Sequence, residues 1–200
     1  FGLFDANSDG DDLILGNKRL PMLRQQKPKR PGYPNLCLAD FVRPIGKGKD
    51  KVGVFATSVD AELQKAYLHD DYQRMLSQVL ADRLAEGTAE KMHEEVRRNY
   101  WGYAPNERLT MEQTHNEQYQ GIRPAVGYPS LPDTSINFIL NELIDMKGIG
   151  IRLTESGMMT PHASVSGLML AHPGSCYFEL GRIGTTKSMT MPADVDCLSN

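Results

Sequence analysis

The sequence has few of the features that mark membrane, secreted or nucleic-acid-binding proteins. No stretch among its 200 residues approaches the ~18 continuous apolar residues of a membrane helix. No charged segment followed by an apolar one opens the chain, as it would in a secretory signal. The net charge is −3, which indicates no basic surface for nucleic acid or anionic lipid. We therefore expect neither nucleic acid nor a membrane as a partner.

Cysteine and metal-ligand patterns are scarce as well. The three cysteines are Cys37, Cys176 and Cys197. They lack CxxC spacing, which favours a reducing compartment over a disulfide framework or zinc knuckle, and we expect a cytoplasmic protein. His93-Glu94 begins like the zinc-protease signature HExxH, but Arg97 stands in place of the second histidine. We therefore expect no metal site. Because the chain opens on Phe1 rather than Met, we also expect it to be part of a longer polypeptide.

What the sequence does contain is short strand patterns at both ends and helical patterns between them. Apolar segments bounded by turn residues predict strands at 1–4, 13–15, 36–42, 52–57, 149–153, 164–171 and 177–183. We expect the last two to form an antiparallel hairpin and the polar residues 17–34 to form an exposed connection. Strands first, helices next and strands last indicate an α+β fold with an antiparallel sheet.

Two helices are predicted from apolar spacing. In residues 59–100 large apolar residues recur at steps of three and four: Leu68, Tyr72, Met75, Leu76, Val79, Leu80, Leu84, Met92, Val96 and Tyr100. Such a stripe is typical of a face that packs on the core. A shorter helix is predicted at 134–147, capped by Thr134 or Ser135. Its candidate core face is Ile136, Ile139, Leu140 and Leu143.

The segment 119–129 holds two prolines and two glycines, which disfavour a helix or a central strand. It predicts a stiff, exposed backbone that displays Arg123 and Tyr128. An arginine and an aromatic ring suit a ligand that carries a carboxylate and a flat ring. The alternative is a surface loop whose arginine forms an ordinary salt bridge.

Five blocks, in order, resemble the activation domain of cobalamin-dependent methionine synthase. They are LCLADFV at 36–42, ADRLAE at 81–86, YWGYAPNE at 100–107, GIRPAVGYP at 121–129, and LTES at 153–156 with ASVSG at 163–167. The resemblance implies one curved, C-shaped α+β domain with a twisted antiparallel sheet and flanking helices. It places this domain at 1–184, without its N-terminal part, and leaves a polar tail at 185–200.

The resemblance also implies a function. Members of this family bind S-adenosylmethionine and support reductive remethylation of cob(II)alamin to methylcobalamin, which reactivates the methyltransferase in cis or in trans. The implied partners are a cobalamin-binding domain, or another corrinoid protein, and a flavodoxin-like electron donor. No side chain is expected to act as a catalyst, because the sulfonium and the cofactor supply the bond chemistry.

The site residues carried over by the resemblance form two groups. The S-adenosylmethionine group is Arg123, Glu117, Glu86, Tyr128, Tyr177 and Phe178. Arg123 would clamp the ligand carboxylate, the two glutamates would lie near its ammonium, and the aromatic residues would line the adenosyl site. The cobalamin-facing group is Asp82, Glu86 and Tyr128. Asp82 and Glu86 lie four residues apart, so a helix places them on one face.

The chain departs from the family pattern in two places. Residues 130–134 read SLPDT, where the family commonly has Ala-Cys-Pro, an acid and a histidine. Residues 168–170 read LML, where it commonly has Trp-Tyr-Phe. An aspartate that contacts S-adenosylmethionine in the family lies upstream of Phe1. These departures leave open an alternative function, a non-catalytic docking or capping module for a corrinoid protein with weak or no S-adenosylmethionine binding.

Overall fold

The computed structural model describes residues 1–27, 32–60, 62 and 69–181. Its main sheet has five antiparallel strands in the order β3-β2-β1-β4-β7. These strands are β1 (Gly2–Asp9), β2 (Asp12–Leu15), β3 (Lys18–Pro21), β4 (Asp50–Ser58) and β7 (Ser164–Met169). Two short strands, β5 (Arg152–Leu153) and β6 (Met159–Thr160), pair separately. The predicted α+β class with a curved antiparallel sheet is confirmed.

The sheet is covered on both faces, and the central strand β4 shows why. In the β1–β4 ladder Gly2 pairs with Val54, and in the β4–β7 ladder Phe55 pairs with Gly167. Val54 belongs to the larger hydrophobic cluster, while its neighbour Phe55 belongs to a second one. Successive side chains of a strand point to opposite faces, so β4 separates two apolar layers.

The larger cluster lies between the sheet and two short helical elements. A 3-10 helix (Leu38–Phe41) and helix α3 (Ile136–Leu143) bury apolar side chains there. In α3, Ile136 and Leu140 are fully buried and Ile139 and Leu143 pack against them, so the predicted core face of this helix is confirmed.

The long helix α1 (Asp71–Glu95) covers the other face of the sheet. It begins where the Asp70 carboxylate accepts the N–H groups of Tyr72 and Gln73. It continues into a π-helical turn (Val96–Tyr100). Thr57 of β4 donates its hydroxyl to the Ala85 carbonyl at 3.0 Å, which ties the middle of the helix to the strand.

The predicted core stripe of this helix is wrong for most of its members. Tyr72, Met75, Leu76, Val79, Leu80, Leu84 and Tyr100 are exposed. The buried face consists instead of Ser77, Ala81, Ala85, Ala89 and His93. Small side chains let the helix axis approach the sheet closely, so the large ones point outward. Val96 is buried and Met92 packs on the second cluster, as predicted. Leu68 lies outside the described residues.

Several predicted strands are also wrong. Residues 36–42 fold around a 3-10 helix because Asp40 accepts the N–H of Cys37 at 2.8 Å and pairs with the buried Arg24. The supposed connection 17–34 contains β3, which lies at the edge of the sheet.

Towards the C-terminal end, Met146–Ile149 forms a 3-10 turn before β5. Residues 177–181 form no strand, because Leu180 bonds instead to the backbones of Gln26 and Pro129. Residues 182 and 183, and the predicted boundary at 184, lie outside the described residues. Cys37 is a buried free thiol. None of the helices in the described part of the chain is long and apolar enough to cross a membrane.

Candidate functional site

The Pro/Gly segment 119–129 runs along the outer edge of β7. Ile122 exchanges two backbone hydrogen bonds with Leu170, both 2.9 Å long, and the Leu168 N–H donates to the Pro124 carbonyl at 3.0 Å. The segment comes this close because residue 167 is glycine: a Cβ there would lie 2.2 Å from the Pro124 oxygen. The segment is therefore held against the sheet and is not exposed as predicted: Ile122 and Pro124 are buried, whereas Tyr128 lies at the surface.

Arg123 is fixed by this segment and by helix α1. Its guanidinium donates to the Glu90 carboxylate at 2.6 Å and lies 5.9 Å from the centre of the Phe55 ring. Its backbone N–H donates to the Tyr177 phenol oxygen at 2.9 Å. Only 14% of the Arg123 side chain is exposed. The Nε of Arg123 and the Oε1 of Glu90 are buried without a hydrogen-bond partner.

Glu117 completes the charged group around Arg123. It adopts the left-handed backbone conformation, with φ of 53°, which is uncommon for a residue with a side chain and marks strain of the kind found at functional sites. Although Glu117 reaches solvent, desolvation and the neighbouring Glu90 raise the pKa of its carboxyl, against the opposing effect of Arg123. Arg123 thus pairs with Glu90 and acts electrostatically on Glu117.

The three predicted cobalamin-facing residues lie together at the surface. The Tyr128 hydroxyl donates to Glu86 at 3.1 Å, and Glu86 also pairs with Arg83 at 2.6 Å. Asp82, one turn earlier, accepts a hydrogen bond from Gln78 at 2.7 Å. Both acid side chains are a little over a third exposed. The spacing prediction that the two acids share one face of a helix holds.

A buried polar layer supports the site from below, and the sequence analysis missed it. Arg97 forms a double hydrogen bond with Glu107 and stacks on the Tyr119 ring, 4.1 Å from its centre. His93 meets the same ring edge-on at 5.1 Å. The Tyr119 hydroxyl in turn interacts with that of Tyr177.

One signal for this layer stood in the sequence. Arg97, the residue that breaks the zinc-protease pattern, is followed ten residues later by Glu107, inside the YWGYAPNE block.

Burial also pushes the pKa of His93 well below its usual range, because a charged imidazolium would be desolvated beside Arg97 and Arg123.

The structure brings most of the predicted residues together and leaves one aside. Arg123 pairs with Glu90 and acts electrostatically on Glu117, and Tyr177 is bonded to the Arg123 backbone. Tyr128 is bonded to Glu86 on the neighbouring helix α1. Phe178 packs into the larger core instead, with its ring 6.5 Å from that of Phe41, so its side chain faces the core. Two clefts elsewhere, of about 360 and 440 Å³, include none of the predicted ligand residues.

The arrangement suits a ligand that carries both signs of charge. Arg123 can donate hydrogen bonds to a carboxylate, and its acidic neighbours Glu90 and Glu117 can accept hydrogen bonds from an ammonium group. Tyr177 and Tyr128 offer ring faces nearby for a flat or cationic group. With both acids ionised, this trio carries a net charge of −1, so a ligand with a net positive charge is favoured.

The comparison with solved structures agrees with this geometry. A structure described as the MetH reactivation domain bound to AdoHcy superposes with a TM-score of 0.85 at 45% sequence identity. The match covers 91% of this chain and 60% of that one, so the chain spans three fifths of the length of its solved relative.

The comparison with protein families matches nearly the whole chain. The family described as "Vitamin B12 dependent methionine synthase, activation domain" matches residues 1–191. Fold, motif order and the grouping of charged residues point the same way. The chain belongs to the family of vitamin B12-dependent methionine synthase activation domains.

Proposed function

We propose that this domain binds S-adenosylmethionine and supports reductive remethylation of cob(II)alamin to methylcobalamin on a partner cobalamin domain or corrinoid protein. The observation that carries the proposal is the part-buried ion pair of Arg123 with Glu90, with Tyr177 bonded to the arginine backbone. The solved relative with 45% identity is bound to AdoHcy, which supports an adenosyl ligand here.

The residues present fit such a ligand. Arg123 would hold the carboxylate, and the unpartnered Nε and Glu90 Oε1 show that the buried pair retains hydrogen-bonding capacity. Glu117 would face the ammonium, which would stabilise its ionised form. Tyr177 and Tyr128 would flank the adenosyl group. Protein groups thereby orient the methyl donor and supply no nucleophile.

The corrinoid would approach from the face of Asp82, Glu86 and Tyr128. Cobalamin, when bound, supplies the cobalt that accepts the methyl group. Corrinoid amide side chains are hydrogen-bond donors, and the two carboxylates are acceptors held on one helix. Their partial exposure leaves them accessible to a partner, while bonds to Gln78 and Tyr128 fix their orientation.

The wider assembly forms part of the same proposal. The domain would serve a cobalamin-dependent methyltransferase, in cis or in trans, and receive an electron from a flavodoxin-like protein. A cytoplasmic location is part of this proposal. The first expected partner is the cobalamin-binding domain of methionine synthase.

A second candidate function is a capping module that binds a corrinoid protein without S-adenosylmethionine. The observation that favours it is that residues 130–134 form contacts within the fold and not with the Arg123 site. Leu131 is buried in the core, and Thr134 donates its hydroxyl to the Ser156 carbonyl at 2.7 Å. These positions leave no titratable group where the family has a histidine.

Calorimetric titration with S-adenosylmethionine separates the two candidates. We expect wild-type protein to bind and Arg123→Ala to lose roughly 2–5 kcal/mol of binding free energy, because a buried charge-assisted contact is removed. Arg108→Ala, at an exposed arginine outside the site, is the matched control and should bind as the wild type does. Absence of S-adenosylmethionine binding by the wild type would favour the capping module, whereas equal affinities of wild type and Arg123→Ala would overturn the role assigned to Arg123.

A further inference from the structure

A row of half-buried polar residues runs along one flank of α1, beside the small residues that face the sheet. Its members recur every fourth residue, and we call them the α1 polar row: Gln78, Asp82, Glu86 and Glu90. Residues four apart form one ridge of a helix. The row therefore follows the helix, with its two ends roughly 18 Å apart at a rise of ~1.5 Å per residue.

Two contacts of the row belong to the sites already described. At its C-terminal end Glu90 pairs with Arg123, and one turn earlier Glu86 accepts the Tyr128 hydroxyl. The row therefore leads from the proposed S-adenosylmethionine site to the proposed corrinoid-facing surface. A side chain held against the other end of the row would belong to that same surface.

The N-terminal end of the row is contacted by His162, from the loop between β6 and β7. Its Nδ1 lies 3.6 Å from the Asp82 carboxylate and 3.4 Å from the side-chain nitrogen of Gln78. Gln78 itself donates to Asp82 at 2.7 Å. The sequence analysis gave no role to this histidine, which directly precedes the ASVSG block.

The backbone of His162 is fixed although its side chain is exposed. The His162 carbonyl accepts the Ser164 N–H at 2.7 Å, and the next residue, Ala163, accepts the Val59 N–H at 3.0 Å. Ala163 is buried, whereas 77% of the His162 side chain is exposed. Such a side chain is accessible to a partner, and binding orders little backbone around it.

The Asp82 contact decides which imidazole nitrogen faces outward. A carboxylate beside Nδ1 favours the tautomer that carries its proton there, because the N–H can then point at the acid. Nε2, on the other side of the ring, is left as a hydrogen-bond acceptor. Corrinoid amide side chains are donors, so this outward nitrogen suits the ligand that the proposed function brings to the face.

We propose that His162 is a further corrinoid contact, which accepts a hydrogen bond from a corrinoid amide through Nε2 while Asp82 orients the ring. The inference rests on the proposed function, because that function assigns this face to a corrinoid. His162 then contributes to affinity for the corrinoid partner. It contributes nothing to S-adenosylmethionine binding, since Arg123 lies at the opposite end of the row.

The tautomer of His162 can be measured without any ligand. Proton–nitrogen correlation NMR at about pH 8, above the ordinary histidine pKa of ~6.5, distinguishes the two ring nitrogens. His162→Asn identifies the signals. We expect the proton on Nδ1 in the wild type and a shift of the population towards Nε2 in Asp82→Ala, which lacks the acid. The same tautomer population in both proteins would overturn the proposal.

Two substitutions separate the inner nitrogen from the outer one. Asparagine places its amide near the position of Nδ1, whereas glutamine reaches the position of Nε2. Calorimetric titration with the cobalamin-loaded binding domain of methionine synthase compares them. We expect the Kd to rise roughly five- to tenfold in His162→Asn, through the loss of one net hydrogen bond. His162→Gln keeps an acceptor at the outer position and should restore most of the affinity.

Two controls separate the corrinoid from the protein that carries it. His115→Asn, at an exposed histidine outside α1, should bind the loaded domain as the wild type does. The corrinoid-free domain should not distinguish His162→Asn from the wild type. An unchanged Kd of His162→Asn for the loaded domain, or an equally large loss with the corrinoid-free domain, would overturn the proposal.

Methylcobalamin formation keeps this inference apart from the proposed function. A wild type that binds the loaded domain but forms no methylcobalamin with S-adenosylmethionine and an electron donor would refute the function and leave the His162 contact standing. Methylcobalamin formation by His162→Asn with an unchanged KM for the loaded domain would refute the contact alone. A wild type that does not bind the loaded domain would overturn both.

Discussion

The phenol oxygen of Tyr177 accepts the backbone N–H of Arg123 at 2.9 Å, across 54 residues of sequence. This bond joins the segment after β7 to the Pro/Gly segment, and the Tyr119–Tyr177 contact continues it to the buried Arg97–Glu107 pair. Arg123 is therefore held by its backbone as well as by Glu90. Preorganisation of this kind is what a binding arginine needs, because a fixed side chain loses little entropy on binding.

Removing this acceptor should weaken both the fold and the ligand site. Tyr177→Phe keeps the ring and leaves the Arg123 N–H without its partner. The loss of a protein hydrogen bond costs roughly 1–3 kcal/mol when the partner stays buried. Tyr177 is 37% exposed, so water can replace part of the bond and we expect about 1 kcal/mol. Urea denaturation measures this, with the exposed Tyr33→Phe as control. Identical midpoints for Tyr177→Phe and wild type would show that the bond contributes nothing.

Glu117 should make ligand binding depend on pH. Its pKa is raised above the usual 4.5 by desolvation and by Glu90, and a ligand ammonium favours its ionised form. S-adenosylmethionine affinity should therefore fall as the pH is lowered towards 4.5. The stability contribution of this carboxyl has the opposite slope, because the folded state holds the proton more tightly: it is present below pH 4.5 and is lost as the pH rises through the folded pKa.

S-adenosylmethionine titrations between pH 4.5 and 7 check the predicted fall in affinity, and denaturation over the same pH range checks the opposite slope of the stability. Glu117→Gln should bind more weakly at pH 7 and lose most of the pH dependence. Glu112→Gln, at an exposed acid in the neighbouring helix α2 (Met111–His115), should behave as wild type. A Glu117→Gln curve that keeps the wild-type slope would assign the pH dependence to another group.

The acidic pair on α1 should act on the corrinoid rather than on the fold. Asp82→Asn with Glu86→Gln removes two charges and preserves size, and amide oxygens can still accept from Gln78 and Tyr128. We expect slower methylcobalamin formation on a partner corrinoid protein, followed by absorbance with saturating S-adenosylmethionine and an electron donor, and an unchanged Tm. Asp71→Asn with Glu112→Gln, at two exposed acids, is the control. If the variant Asp82→Asn with Glu86→Gln forms methylcobalamin at the wild-type rate, the two acids are only part of a solvated helical face.

Two glycines should respond oppositely to the same substitution. Gly167→Ala places a methyl group 2.2 Å from the Pro124 oxygen, so the Pro/Gly segment must move. We expect a loss of about 1–3 kcal/mol of stability and weaker ligand binding. Gly87→Ala meets open space within α1 and should gain roughly 0.5–1 kcal/mol. Denaturation of the isolated chain measures both, and a Gly167→Ala variant as stable as wild type would contradict the close approach.

Some of this site could be predicted from local sequence. The prolines and glycines of 119–129 restrict the backbone whatever surrounds them, so the surface position of Tyr128 could be predicted, whereas the predicted exposure of Arg123 is wrong because its side chain packs on Glu90 and Phe55. The spacing of Asp82 and Glu86 placed them on one helical face for the same local reason. The predicted core face of α3 was also correct, since its apolar residues Ile136 and Leu140 are buried in the larger hydrophobic cluster.

The side of α1 that faces the sheet depends on tertiary contacts and could not be predicted from the sequence. Periodicity in 72–84 marks an apolar face but cannot say which layer covers it, and here Ala81 and Ala85 take the inner side because small residues allow close approach. Tertiary contacts likewise pair Arg123 with Glu90 and Tyr177, and Arg97 with Glu107. The fold class, the family motifs and the Pro/Gly segment could be read from the amino-acid order, because they depend on neighbours along the chain. The partners of each buried charge depend on contacts between distant residues, and only folding brings these together.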